Sequence, residues 1–172
     1  TTPERALAPA ERLGALMPGA GHIVHMPAHI YYRVGQYRRS LDTNKLAVRV
    51  DEKYFAGSPS DPLYKSAYYP HNIHFVMVSA QMGGEGRTAV DAAKKLDAAV
   101  PAELAKQFQI MEPVKAAPFT THLQFAEPDA VLALAKPDDA LELVRTMYHY
   151  ARAVALARKR DAAAARAETD AI

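Results

Sequence analysis

Ala6 and Ser40 stand 34 positions apart, each inside an apolar run with helical spacing, and this recurrence constrains the fold more than any single motif. A pattern with that period describes a stack of similar small units rather than one closed core. The local patterning agrees. Ala6, Leu7, Ala10, Leu13 and Leu16 fall on one helical face, with Thr2 placed as N-cap, Pro3 at the first helical position and Pro18-Gly19 as the stop. Helices are expected over residues 21–34, ending at Gly35, and over 37–54, carrying Leu41, Leu46, Ala47 and Val50. Gly57, Pro59 and Pro62 mark residues 55–69 as a loop. Pro70 opens a helix to Met82, Gly83 to Gly86 turn, and residues 88–100 form the next helix, closed by Pro101. Pro113, Pro118, Pro128 and Pro137 cut 103–137 into short pieces. Pro137-Asp138-Asp139 is expected to start a long helix through Val144, Met147, Ala151 and Ala155, and a last helix runs from Asp161 to the end. No strand alternation of any length occurs, so the expected class is all-α.

Composition narrows the function classes. Hydrophobic residues make up 49% of the 172, yet aromatics are only 8% and Trp is absent, which suits helices packed closely through small side chains. The net charge of +2 offers no basic stripe for nucleic acid, and Arg158-Lys159-Arg160 reads as a solvated helix end. The absence of Cys excludes disulfides, thiolate metal sites and Cys nucleophiles. No apolar run approaches the roughly 20 residues that span a bilayer, and no signal peptide is present, so a soluble chain without membrane contact is expected. The chain opens on Thr1-Thr2-Pro3 with helical pattern at once, and the expectation is a piece of a longer protein, whose targeting is therefore unread. Neither a nucleotide or flavin motif, a Ser/His/Asp arrangement, a His-Glu-x-x-His zinc signature nor a pair of catalytic carboxylates stands out.

Five of seven histidines sit in two phrases, Gly21-His22-Ile23-Val24-His25-Met26-Pro27-Ala28-His29-Ile30-Tyr31-Tyr32-Arg33 and Pro70-His71-Asn72-Ile73-His74-Phe75. At about 100° per residue, His22, His25 and His29 share one face within roughly 60°, and His71 and His74 share one face of theirs. Imidazoles on successive turns can converge on one point. Pro27 interrupts the first set and kinks or restarts the helix there, re-aiming His25 relative to His29. With no Cys, imidazole ligands suit Cu or Zn, and less well Ni or Fe. Met26, Met77 and Met82 read as core filler, although a thioether ligand would favour copper. His122 and His149 stand apart and read as structural.

Val34-Gly35-Gln36-Tyr37-Arg38-Arg39-Ser40-Leu41 followed by Ala47 resembles the turn and second helix of a tetratricopeptide (TPR) unit. Leu13 then matches Ala47, Pro18 falls on the repeat-ending proline, and Gly84, Ala89 and Pro101 fit a further copy. Ala165 fits again, with Arg160 where Gly is expected. The resemblance implies an α-solenoid, a right-handed superhelix with a concave groove, as one repeat domain over 1–172. Its units lie at about 1–20, 21–54, 70–101, 115–137 (degenerate) and 142–172. It also implies that His22, His25, His29, His71 and His74 face one groove, beside Tyr32, Arg33, Asn72, Gln81 and Met82 as groove or supporting residues, and five imidazoles so placed have the geometry of a multi-histidine metal site or a catalytic groove. The two histidine phrases further resemble long bacterial TPR-containing proteins of undefined activity, which implies flanking repeats and a further His-containing helix before residue 1. Two functions follow as expectations: a transition metal in the groove, structural or catalytic, or a scaffold that binds an extended peptide or protein there.

Overall fold

A computed structural model describes residues 2–57 and 61–172. Among them the chain is helix and turn throughout, with no strand. Its contacts gather into two compact units, Thr1–Ala92 and Ala93–Ile172, where the repeat pattern reads one domain over 1–172.

In the first unit, a 3-10 turn Pro3–Ala6 leads into α1 (Leu7–Leu16). Thr2 makes no side-chain capping bond, contrary to the N-cap expected from sequence. α2 (Gly21–His25) and α3 (Pro27–Arg33) are one helix broken at Met26. Pro27 has no N–H to continue the ladder, so the last bond of α2 is Met26 N–H to His22 O, at 3.1 Å, and α3 restarts with His29 N–H to Met26 O, at 3.3 Å. α4 (Tyr37–Gly57) is the centre of the unit, with α2, α3 and α5 (Tyr69–Met82) packed on it. Its buried stripe is Ser40, Leu41, Asn44, Ala47, Val48 and Asp51, a clean 3.6-residue pattern. Leu46, one of the apolar residues that mark this helix in the sequence, is 46% exposed. Ser40 Oγ lies 2.8 Å from Ser79 Oγ and donates to Ala28 O, so small polar residues let three helices approach closely.

The expected loop at 55–69 is mostly helical. α4 continues to Gly57, and a π-helical stretch Tyr64–Tyr68 runs directly into α5. The Asp61 carboxylate accepts from Leu63 N–H at 2.8 Å and starts this stretch beside Pro62. Pro59 lies outside the described residues.

The unit boundary falls within α6 (Gly86–Ala99). In the second unit the prolines do cut the chain into short pieces: α7 (Ala102–Gln107), a 3-10 turn Gln109–Met111, α8 (Glu112–Ala116), α9 (Pro118–Phe125) and α10 (Pro128–Leu132). α11 (Glu142–Arg158) is central here, with α8, α9, α10 and α12 (Ala162–Thr169) packed against it. α11 begins five residues later than expected, because Asp138 folds back on itself. Its carboxylate accepts from Ala140 N–H at 2.9 Å, a turn that occupies the proposed helix start.

Three helix–helix turns share one geometry. Gly35, Gly84 and Arg160 have φ of 79°, 74° and 64°. After each, the next N–H reaches back five residues: Gln36 to Tyr31 O, Glu85 to Ala80 O and Asp161 to Leu156 O. This is the Schellman ending, in which a left-handed residue satisfies the last carbonyls. Arg160 adopts the conformation at the position where the repeat template asks for Gly.

Candidate metal centre

α2, α3 and α5 carry the clustered histidines, and α4 lies behind them. His25 is fully buried; His22, His29 and His71 are half-buried. His25 Nδ1 is 2.6 Å from Asn44 Oδ1, while Asn44 Nδ2 donates to Ser40 O at 2.8 Å. That second bond fixes the amide so that its oxygen faces the ring. An amide oxygen only accepts, so Nδ1 carries the hydrogen and Nε2 of neutral His25 is a bare lone pair.

Two further imidazoles converge on that lone pair. His29 Nε2 lies 2.9 Å from it and His71 Nε2 lies 3.0 Å from it. One lone pair makes one good hydrogen bond, so the two neighbours compete for it. Nitrogens bound to one tetrahedral ion at ~2.0–2.1 Å stand about 3.3 Å apart. The observed spacings are close to that, and an ion between the rings would replace the competition with shared coordination. His22 stacks on His25 with ring centroids 5.4 Å apart and lies 5.8 Å from His71. His22, His25 and His71 each offer a nitrogen within 4.8 Å of the others, close enough to hold a metal ion. Phe75 walls the cluster, its ring 4.8, 4.4 and 5.1 Å from His25, His29 and His71.

Burial keeps these rings neutral. It pushes His25 down to about 3, with Asn44 opposing and the other imidazoles deepening the shift. His71 falls to about 4, again mainly by burial and then by His29 and His22. His22 and His29 are also lowered by burial, His22 being partly restored by Asp51 and Asn72. Neutral imidazole is the form that binds a metal.

Among the described residues, His22, His25 and His71 of the five expected ligands lie close enough together to hold one ion, and His29 reaches His25 at 2.9 Å across the Pro27 break. His74 joins none of these ring or nitrogen contacts; it lies one stripe round α5, lowered by burial. Of the expected supporting residues, Asn72 is fully buried and donates to Asp51 Oδ2 at 2.8 Å. Tyr32 packs edge-on against Tyr37 and Phe75. Gln81 is half-buried, Arg33 is exposed and Met82 is 52% exposed. Met77 is fully buried core.

The sequence reading missed Asn44, Asp51, Tyr64 and Phe75. Asp51 is 1% exposed, its carboxylate accepting from Tyr64 Oη at 2.8 Å and from Asn72. The Tyr64 oxygen in turn accepts from His22 N–H at 3.0 Å. Burial raises the Asp51 pKa, and burial beside Asp51 pushes Tyr64 up to about 12. A signal for these residues was available: Asn44 and Asp51 fall in register with Leu41, Ala47 and Val48, and polar residues on a core stripe need a partner.

Outside the cluster, His149 Nδ1 pairs with Glu168 Oε2 at 2.8 Å, and Arg152 donates to Glu168 and to Leu132 O. His149 thereby ties α11 to α12, a structural role. His122 is 6% exposed among Pro118, Phe119 and Leu134.

The site defines a helical chain with a histidine cluster able to hold a metal. Comparison with family models, curated proteins and solved structures finds no significant match.

Proposed function

We propose that this chain binds one transition-metal ion between α2, α3 and α5, with His25, His29, His71 and His22 as ligands, and that zinc or copper is the ion. The observation that carries the reading is the bare Nε2 of His25, fixed by Asn44, with two further Nε2 atoms at 2.9 and 3.0 Å. Orientation of a ligand imidazole by a hydrogen bond on its other nitrogen is the usual supporting arrangement of a metal site. Four imidazoles fill a tetrahedral shell and make a structural staple across the Met26 break. Three leave one position for water and give a site for metal-assisted hydrolysis.

The same reading places the cluster in a TPR-like α-solenoid. The three equivalent turns at Gly35, Gly84 and Arg160, and buried Ser40 and Ala89 just after two of them, support that architecture. Exposed Arg33 and Met82 support the alternative of an extended peptide docked beside the cluster. Elemental analysis of protein purified without a His-tag, before and after loading with Zn or Cu and desalting, separates the two. One equivalent per chain, removed by chelator, supports the metal site. No retained metal puts the peptide reading ahead.

A further inference from the structure

We propose that Asn72 and Asp51 are the positioning pair for His22, holding its Nδ1–H so that Nε2 is presented to the ion. The proposal rests on the metal reading above. Two buried polar atoms lack a hydrogen-bond partner on adjoining side chains: His22 Nδ1 and Asn72 Oδ1. Asn72 Nδ2 is committed to Asp51 Oδ2, so the amide cannot flip and its oxygen must face away from the carboxylate. His22 N–H donates to Tyr64 Oη, and Tyr64 and Asn72 both donate to Asp51, so His22 and Asn72 belong to one buried network. Pairing the two orphans would satisfy both in one Nδ1–H···Oδ1 bond.

That bond repeats, on α5, what α4 does for His25. There Ser40 O holds Asn44 and Asn44 Oδ1 holds Nδ1. Here Asp51 holds Asn72 and Asn72 would hold His22. Buried polar atoms on native side chains are rarely left unpaired, and ligand-bearing states are one reason they are. Asp51 adds a second element. It is buried, bonded only to neutral donors, and forms no ion pair with any described Lys or Arg. A desolvated carboxylate needs a compensating cation, and a metal held by neutral imidazoles needs a compensating anion. Gly21 makes the arrangement possible: a Cβ there would overlap the Asp51 carboxylate and sit 2.9 Å from Ala47 O. Gly21→Ala therefore crowds both Asp51 and the α2–α4 contact.

The test is Zn affinity by competition with a chromophoric chelator, for the wild type, Asn72→Leu, Asp51→Asn and Gly21→Ala. Imidazole nitrogen NMR of the Zn-loaded wild type accompanies it. Each substitution is expected to weaken Zn binding 10–100-fold, the range for lost supporting contacts. The wild-type spectrum should show His22 protonated at Nδ1. The spectrum needs no variant, so a variant that fails to fold leaves the test intact. His22 protonated at Nε2 in the Zn-loaded wild type would overturn the proposal. So would wild-type affinity in folded Asn72→Leu, while leaving the metal site standing. A wild type that takes up no Zn would overturn the metal reading and this proposal together.

Discussion

Acid should destabilise the metal-free protein through His25, by an amount the structure sets. Its folded-state pKa is about 3, lowered first by burial, against about 6.5 in the unfolded chain. The unfolded chain then binds the proton more readily. The stability is fully present above about pH 6.5 and drains away as pH falls from there toward 3. pH 5 lies about 1.5 units below the unfolded-state pKa of about 6.5, so protonation of the unfolded chain costs the native state about 2 kcal/mol at about 1.36 kcal/mol per unit. His25 is fully buried, so solvent screening does not reduce this figure. His71, at about 4, acts in the same direction but is partly exposed and contributes less than its shift suggests. The assay is urea unfolding at pH 7 and pH 5 with chelator present, followed by amide NMR signals of α4 and α5. Wild type is compared with His25→Gln, which cannot titrate. Carboxylates titrate in both proteins and cancel in the comparison. The wild type should lose about 2 kcal/mol more than the variant. Equal losses would refute the claim that His25 is held neutral by its surroundings.

Asn44→Leu should weaken Zn or Cu binding 10–100-fold while His25 stays in place, measured by isothermal titration. Zn at a thousand times its dissociation constant should stabilise the first unit by about 4 kcal/mol, reversibly with chelator, in the same urea experiment. His149→Ala should cost about 1–2 kcal/mol through the lost Glu168 bond and leave metal affinity unchanged, read by denaturation beside titration. Arg160→Gly should stabilise the α11–α12 turn by up to about 1 kcal/mol, because its φ of 64° suits Gly better than a residue with a Cβ, and a melting curve would show it.

Much of this was legible where local chemistry decides. Pro27 announced the break between α2 and α3, and the spacing of His22, His25 and His29 announced one shared face. The sequence showed Arg160 where the template expects Gly, and the structure gives it the left-handed φ of 64°. What failed was tertiary. Gly57 and Pro62 read as loop signals, yet aromatic contacts among Phe55, Tyr64 and Tyr69 accompany helix on both sides of residues 58–60. Pro137-Asp138 read as a helix start, but the Asp138 side chain preferred its own backbone. Leu46 and Val50 marked the helix as apolar residues, yet neither is buried. The buried stripe runs through Asn44 and Asp51, which bond His25 and Asn72. His74 shares a helical face with His71, and His71 alone of the two lies within nitrogen reach of His25.

X-ray absorption at the metal edge of the loaded, tag-free protein tests the central claim most directly. The account predicts a nitrogen shell at ~2.0–2.1 Å with the outer-ring scattering of three or four imidazoles per ion. A shell of oxygen ligands with one imidazole or none would contradict it, because the histidine cluster would then hold no ion.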